Sequence, residues 1–210
     1  MKLIIGNKRY SSWSLRPWLG LKVSGIPFEE ELHDIYDPGA AADRARWSPT
    51  GKVPLLADGE LLVWDTLAIA EYVAERFPDR GLWPAGRAAR AIARAACAEM
   101  HSGFVALRSA HPMDMKKRMQ AEASPAVLAD LARLEALWAD CRARFGTAGP
   151  FLFGGFCWAD AFFAPVASRC LSYGLPLSAD SQAYVTTLAG LPAFREWEAA
   201  GQAETWLAPY

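Results

Sequence analysis

The order of local signals predicts an α+β chain, a small mixed sheet with helices packed on it followed by an all-helical half. Three observations carry this. Roughly the first eighty residues alternate strand and helix signals as β-α-β, hairpin, α. Breakers crowd into Pro78–Gly86, and beyond them every periodic segment has helical spacing.

The elements follow in order. Residues 2–5 are a short apolar run suited to a buried strand. Residues 14–24 carry helical spacing at Leu15, Trp18, Leu19 and Val23 and stop at Gly25. Pro17 has no N–H and belongs in a first helical turn, which makes Ser14 the expected N-cap and leaves Ser11 and Ser12 just ahead of the helix. Phe28–Ile35 suits a second strand. The stretch Asp37–Gly51, holding Pro38, Gly39, Pro49 and Gly51, is expected to be irregular. Val53–Ala57 and Leu61–Trp64 flank Asp58-Gly59, a hairpin signal, and a helix spans about Asp65–Phe77. These elements form one unit, residues 1–79, with a linker at 80–86. The second unit, 87–210, is expected to hold helices at 87–110, 125–145 and 158–173 and two shorter ones near 180–189 and 192–200.

Composition narrows the function classes. Of 210 residues 52% are hydrophobic and 21% charged, so the chain can bury roughly 70% of its unfolded surface without disulfides or metal. Lys plus Arg number 22 against 23 Asp plus Glu, and the longest basic cluster is Lys116-Lys117-Arg118, which speaks against nucleic acid and membrane-surface partners. No apolar run suits a signal peptide or a membrane span, and Cys97, Cys141, Cys157 and Cys170 form no C-x-x-C pair. A cytoplasmic protein with reduced thiols and no metal is expected.

Three segments carry candidate chemistry. Tyr10-Ser11-Ser12-Trp13-Ser14 lies between the first strand and the first helix, where free N–H groups and the helix dipole stabilise an anion, a thiolate included; its serines are equally the residue type of turns and caps. Val53-Pro54 sets proline at a strand start; were the bond cis, the Val53 backbone would turn outward to pair with a bound peptide. Asp65-Thr66 opens a helix, and these are also the groups that recognise a zwitterionic amino-acid head. His33 and His111 read as structural or exposed, and the nine tryptophans as core and pocket lining.

Together, a serine-bearing first turn, Lys52-Val53-Pro54 before a hairpin, Asp65-Thr66 at a helix start and an all-helical second half resemble the cytosolic glutathione transferases over nearly the whole chain. Ser11-Ser12-Trp13-Ser14-Leu15-Arg16 is similar to the zeta-class segment S-S-C-S-W-R, with Trp13 in place of its cysteine. The resemblance implies a thioredoxin-like N-terminal domain that binds glutathione and a helical domain that completes an acceptor pocket. It places Ser11 at the glutathione sulfur, with Ser12 favoured instead by an alignment on Arg16. It sets Val53 against the cysteinyl unit, Pro54 at the family's cis-proline, Asp65 and Thr66 at the γ-glutamyl head, and Lys52 at the glycyl carboxylate.

Glu99-Met100-His101-Ser102-Gly103-Phe104 is similar to the beta-class segment E-L-H-K-G-F, with Ser102 for its lysine, which makes His101 a secondary acceptor-site candidate beside Trp13, whose place next to the serines suits it to shape that site. Cys157-Trp158-Ala159-Asp160 resembles the family's buried capping box, with a thiol where the hydroxyl should be, so that Asp160 is expected to carry more of the capping. The implied protein is a homodimeric detoxification enzyme. It would activate glutathione, its co-substrate, as a thiolate against a small electrophilic, hydrophobic acceptor. An isomerase of the maleylacetoacetate type and a non-catalytic binding or scaffold protein are the alternatives.

Overall fold

In the computed structural model, which describes residues 1–37 and 39–208, four strands form one mixed sheet in the order β2-β1-β3-β4. These are β1 (Lys2–Gly6), β2 (Glu29–His33), β3 (Leu55–Asp58) and β4 (Leu61–Trp64). β1 runs parallel to β2 and antiparallel to β3, with Leu3 opposite both Glu30 and Leu56, and β3 pairs antiparallel with β4. The hairpin turns at Gly59, whose φ of +62° only glycine adopts without strain. The edge strand β2 is guarded by charge: Lys2 pairs with Glu29 and Glu31, and Lys8 with Glu30.

Helix α1 (Ser12–Val23) begins three residues earlier than Pro17 suggested. Ser11, not Ser14, is its N-cap and accepts the Ser14 N–H, while Pro17 lies inside the helix. A proline there leaves the Trp13 carbonyl without its helical donor. The Thr66 hydroxyl donates to that carbonyl at 3.5 Å, which is how the proline is accommodated.

Residues 37–51, expected to be irregular, contain helix α2 (Ala40–Trp47); Pro38 lies outside the described residues. Helix α3 (Thr66–Arg76) completes the first unit, and a single 3₁₀ turn at Pro78–Arg80 ends on Gly81 at φ +63°. The expected helix 87–110 is two, α4 (Arg87–Ser102) and α5 (Val105–Ala110), broken where Phe104 takes φ +55°. The new start is capped from a distance: Asp130, on α6 (Pro125–Phe145), accepts the Leu107 N–H at 2.9 Å. Helices α7 (Trp158–Tyr173), α8 (Ala179–Ala189) and α9 (Pro192–Ala203) follow; Pro209 and Tyr210 lie outside the described residues. None of the described helices is long and apolar enough to cross a membrane.

Helix α7 is the axis of the core, buried at nearly every position, and α1 packs directly on it. The approach needs glycine: a Cβ on Gly20 would stand 1.9 Å from the Trp158 ring. Trp158 is anchored in turn by its backbone N–H, which donates to the Leu82 carbonyl at 2.9 Å. At the start of α7 the Asp160 carboxylate, wholly buried, accepts from the N–H groups of Cys157 and Leu152 and from the Tyr184 hydroxyl. Burial raises it to about 6 despite those three donors.

Two measurements follow from this packing. Gly20→Ala should cost about 1–3 kcal/mol of unfolding free energy in urea titration, because the ring it strikes is fixed between helices. The Asp160 carboxyl titrates higher folded than unfolded, so the native state holds its proton longer and the chain loses stability as pH rises from about 4 to 6. The stability advantage over Asp160→Asn should therefore shrink across that window by on the order of 3 kcal/mol and stay level above it.

Candidate active site

The sheet unit and the helical half meet at a cleft made of two hollows of about 400 and 360 Å³, which share Trp13, Lys52 and Val53. Every site candidate named for glutathione or the acceptor lines it. Ser11 and Ser12 face the first hollow; Pro54, Asp65, Thr66 and His101 face the second. The second wall of the first hollow comes from the helical half, with Arg108 of α5, Met113, and Arg169 of α7.

The two serines differ in what their hydroxyls do. Ser11 Oγ accepts the Ser14 N–H at 3.3 Å and lies 2.8 Å from Ser14 Oγ, which itself accepts the Gly6 N–H. Ser11 is thereby tied into a cap that welds α1 to the end of β1. Ser12 is the first helical residue, and its hydroxyl makes no hydrogen bond among the described residues. It meets the cleft at the first turn of α1, the positive end of the helix dipole.

The Val53–Pro54 peptide is cis, and the sheet's strand pairing stops at Leu55, so Val53 borders both hollows from beyond the end of the ladder. Asp65 caps α3 by accepting the Leu67 N–H at 2.8 Å, and it holds φ +72°, a left-handed value rare outside glycine. Its second oxygen lies 3.3 Å from His101 Nε2, and the imidazole meets the Trp13 ring edge-on. Thr66 beside it is buried.

Behind Trp13 stands Arg16, 1% exposed, stacked between the Trp13 and Phe162 rings with Nε and Nη1 unpartnered. Burial first, then the charges of Arg169 and Arg108, lower its guanidinium to about 9. Burial pushes the Cys97 and Cys157 thiols up, so neither is a nucleophile at neutral pH. Among the described residues no cluster of His, Cys, Asp or Glu is placed to hold a metal ion.

Residues 10–76 match the model of the glutathione S-transferase N-terminal domain. A glutathione transferase homolog from Burkholderia, solved with bound glutathione, superposes with a TM-score of 0.72 at 24% identity, over 97% of this chain and 98% of that one. The fold is that of a glutathione transferase. Dichloromethane dehalogenase of Methylorubrum extorquens is 47% identical over 60 residues, 28% of this chain and 21% of that protein. A probable maleylacetoacetate isomerase of Caenorhabditis elegans is 31% identical over 111 residues, 52% of this chain and 50% of that protein. The chain thus spans half or less of the length of these curated relatives.

Within this glutathione-transferase fold, sequence reasoning missed the groups that reach the site from far along the chain. The Glu204 carboxylate grips the serine loop from behind, accepting the N–H groups of Lys8 at 2.6 Å and Arg9 at 3.0 Å. Arg9 holds Asp114 in a two-point pair at 2.7 and 2.9 Å, and its carbonyl accepts the Met115 N–H. Burial raises the Glu204 carboxyl. Burial would raise Asp114 too, but the Arg9 pair, the Lys116 N–H and the Lys117 charge together outweigh it and hold that carboxyl low. No local pattern joins residue 8 to residue 204.

Replacing Glu204 by Ala should strand two partly buried N–H groups and cost about 1–3 kcal/mol. Amide exchange at Lys8 and Arg9 should quicken selectively, with the hairpin amides of β3 unaffected; uniform exchange rates would refute the clamp.

Proposed function

We propose that the chain is a glutathione transferase, built as a glutathione-binding unit at 1–79 and a helical acceptor unit at 87–210. The reading is carried by one observation: the unengaged Ser12 hydroxyl at the first turn of α1, in a cleft whose far end holds Asp65 and Thr66. Glutathione would lie along Val53, its ammonium at Asp65 and its γ-glutamyl carboxylate at Thr66 and the α3 N–H groups. Its glycyl carboxylate would meet Lys52, with Arg44 on the same wall. That threading brings the sulfur to the mouth of α1.

Ser12, rather than Ser11, donates to the sulfur in this reading, since Ser11 is held in the cap. The hydroxyl and the helix terminus favour thiolate, the thiol proton passing to water. The thiolate then forms a C–S bond with the acceptor carbon as the leaving group departs with the electron pair of the broken bond. Trp13, common to both hollows, and His101 border the place where the acceptor enters. The exposed apolar residues Leu61, Leu62 and Trp64 of β4 offer a face for a homodimer, and four unpaired buried thiols fit the cytoplasm. The match to the isomerase, which spans about half the chain, favours one second reading, cis–trans isomerisation through a transient glutathione adduct.

Turnover of an aromatic halide by the wild-type chain should fall roughly ten- to a hundredfold in Ser12→Ala, the worth of one hydrogen bond to a charged sulfur, with thermal stability unchanged. Ser11→Ala should lose about 1 kcal/mol of stability as a broken cap. Full turnover in Ser12→Ala would dismiss the assignment of the hydroxyl. A chain not retained on immobilised glutathione would dismiss the transferase, and retention without turnover of halide or maleylacetoacetate would leave a binding protein.

A further inference from the structure

The hollow that borders the serines joins apolar groups, among them Trp13, Ile35, Val53 and Met113, to a set of cations. The walls of the first hollow carry Arg44, Lys52, Arg108 and Arg169 and, among the described residues, no carboxylate. Such a concentration of one sign in about 400 Å³ is costly unless an anion arrives, since like charges in a partly desolvated cleft repel strongly. Glutathione brings one carboxylate to this hollow, from its glycyl end, and Lys52 and Arg44 stand on the wall where that end would lie. Arg108, on the opposite wall, comes from the helical half and lies away from that end.

Arg108 is the decisive one. Its Nη1 donates to the carbonyls of His101 and Gly103, which fixes the guanidinium in place, and its Cζ stands 5.0 Å from the centre of the Trp13 ring. It forms no ion pair among the described residues, and its Nε and Nη2 donors have no acceptor there. Burial lowers its guanidinium from the ordinary arginine value with no anion to offset it. The Trp13 ring also carries buried Arg16 at 4.3 Å, whose charge further raises the potential on that side of the cleft. A half-buried arginine positioned by backbone carbonyls, beside a flat aromatic ring and facing a hollow free of acids, is a carboxylate receptor.

From this arrangement we infer that the acceptor is an anionic electrophile, a small planar or unsaturated molecule bearing a carboxylate, which Arg108 holds by a two-point hydrogen bond while Trp13 packs on its apolar part. The carboxylate is a spectator: it orients the electrophilic carbon toward the sulfur and takes no part in bond making. Arg169 adds to the field from α7. The inference rests on the glutathione reading above, because it assigns the half of the cleft that glutathione leaves open.

Calorimetric titration with three non-reacting ligands separates the two ideas. S-methylglutathione reports the glutathione site alone. S-(para-carboxybenzyl)glutathione and its carbamoyl counterpart have nearly the same shape and differ in charge. The carboxylate should bind at least about tenfold tighter than the amide to the wild-type chain, the preference should fall below about threefold in Arg108→Gln, and Arg108→Lys, which keeps the charge but not the two-point fork, should fall between the two. Equal affinity for the two in the wild type, or an undiminished preference in Arg108→Gln, overturns the inference while S-methylglutathione binding leaves the transferase reading standing. Absence of S-methylglutathione binding removes both. Should Arg108→Gln fail to fold, the wild-type ratio decides by itself.

Discussion

The contact of Gly20 with Trp158 sets the spacing on which the cleft depends. Helix α1 carries Ser12 at its N-terminus, and α7 carries Arg169 toward its C-terminus, so the two walls of the first hollow are mounted on the two helices that this contact presses together. A helix is stiff over a few turns, so the distance of closest approach at one point fixes the separation at another. The missing Cβ at residue 20 is in this sense a property of the site as much as of the core. Trp13 then divides the space, touching both hollows and backed by Arg16, so that the ring cannot fold away without exposing a buried cation.

Signals that reside in a few adjacent residues were legible in the sequence. Asp58-Gly59 makes its turn with a left-handed glycine, Asp65 caps the helix that Thr66 opens, and Gly25 ends the first helix at φ +63°. The candidate residues from Ser11 to His101 also converge on one cleft. What failed depended on partners far away in the chain. Pro17 seemed to require a helix beginning at Ser14 because its missing N–H is harmless only in a first turn; the Thr66 hydroxyl, from another helix, removes that requirement by donating to the freed carbonyl. The break at Gly103-Phe104 is invisible to periodicity because Asp130 on α6 caps the second piece.

The site itself divides along the same line. The groups assigned to glutathione in the proposed reading, at Ser12, Val53 and Asp65, sit within short motifs that a reader can recognise. Groups that hold the loop or charge the cleft do not: Glu204, Arg44, Arg108 and Arg169 are ordinary surface-type residues in their own neighbourhoods, and only the docking of the two halves gives them a common target. The overall charge of −1 concealed them too, because a near-neutral sum says nothing about four cations gathered in one hollow.

Magnitudes show why one hydroxyl suffices for the proposed chemistry. A cysteine thiol ordinarily ionises near pH 8.5, so holding it half-ionised near pH 7 requires about 2 kcal/mol of preferential stabilisation of the thiolate. A hydrogen bond to a charged sulfur supplies about 1.5–3 kcal/mol and a helix N-terminus about 0.3–1 kcal/mol, which together meet the requirement without any protein nucleophile or metal. Ser11 cannot contribute its share without giving up the cap that orients the first turn, and the first turn supplies the dipole. The division of labour between two adjacent serines, one fixing the helix end and the other facing the cleft, is therefore what lets both terms act on the same atom.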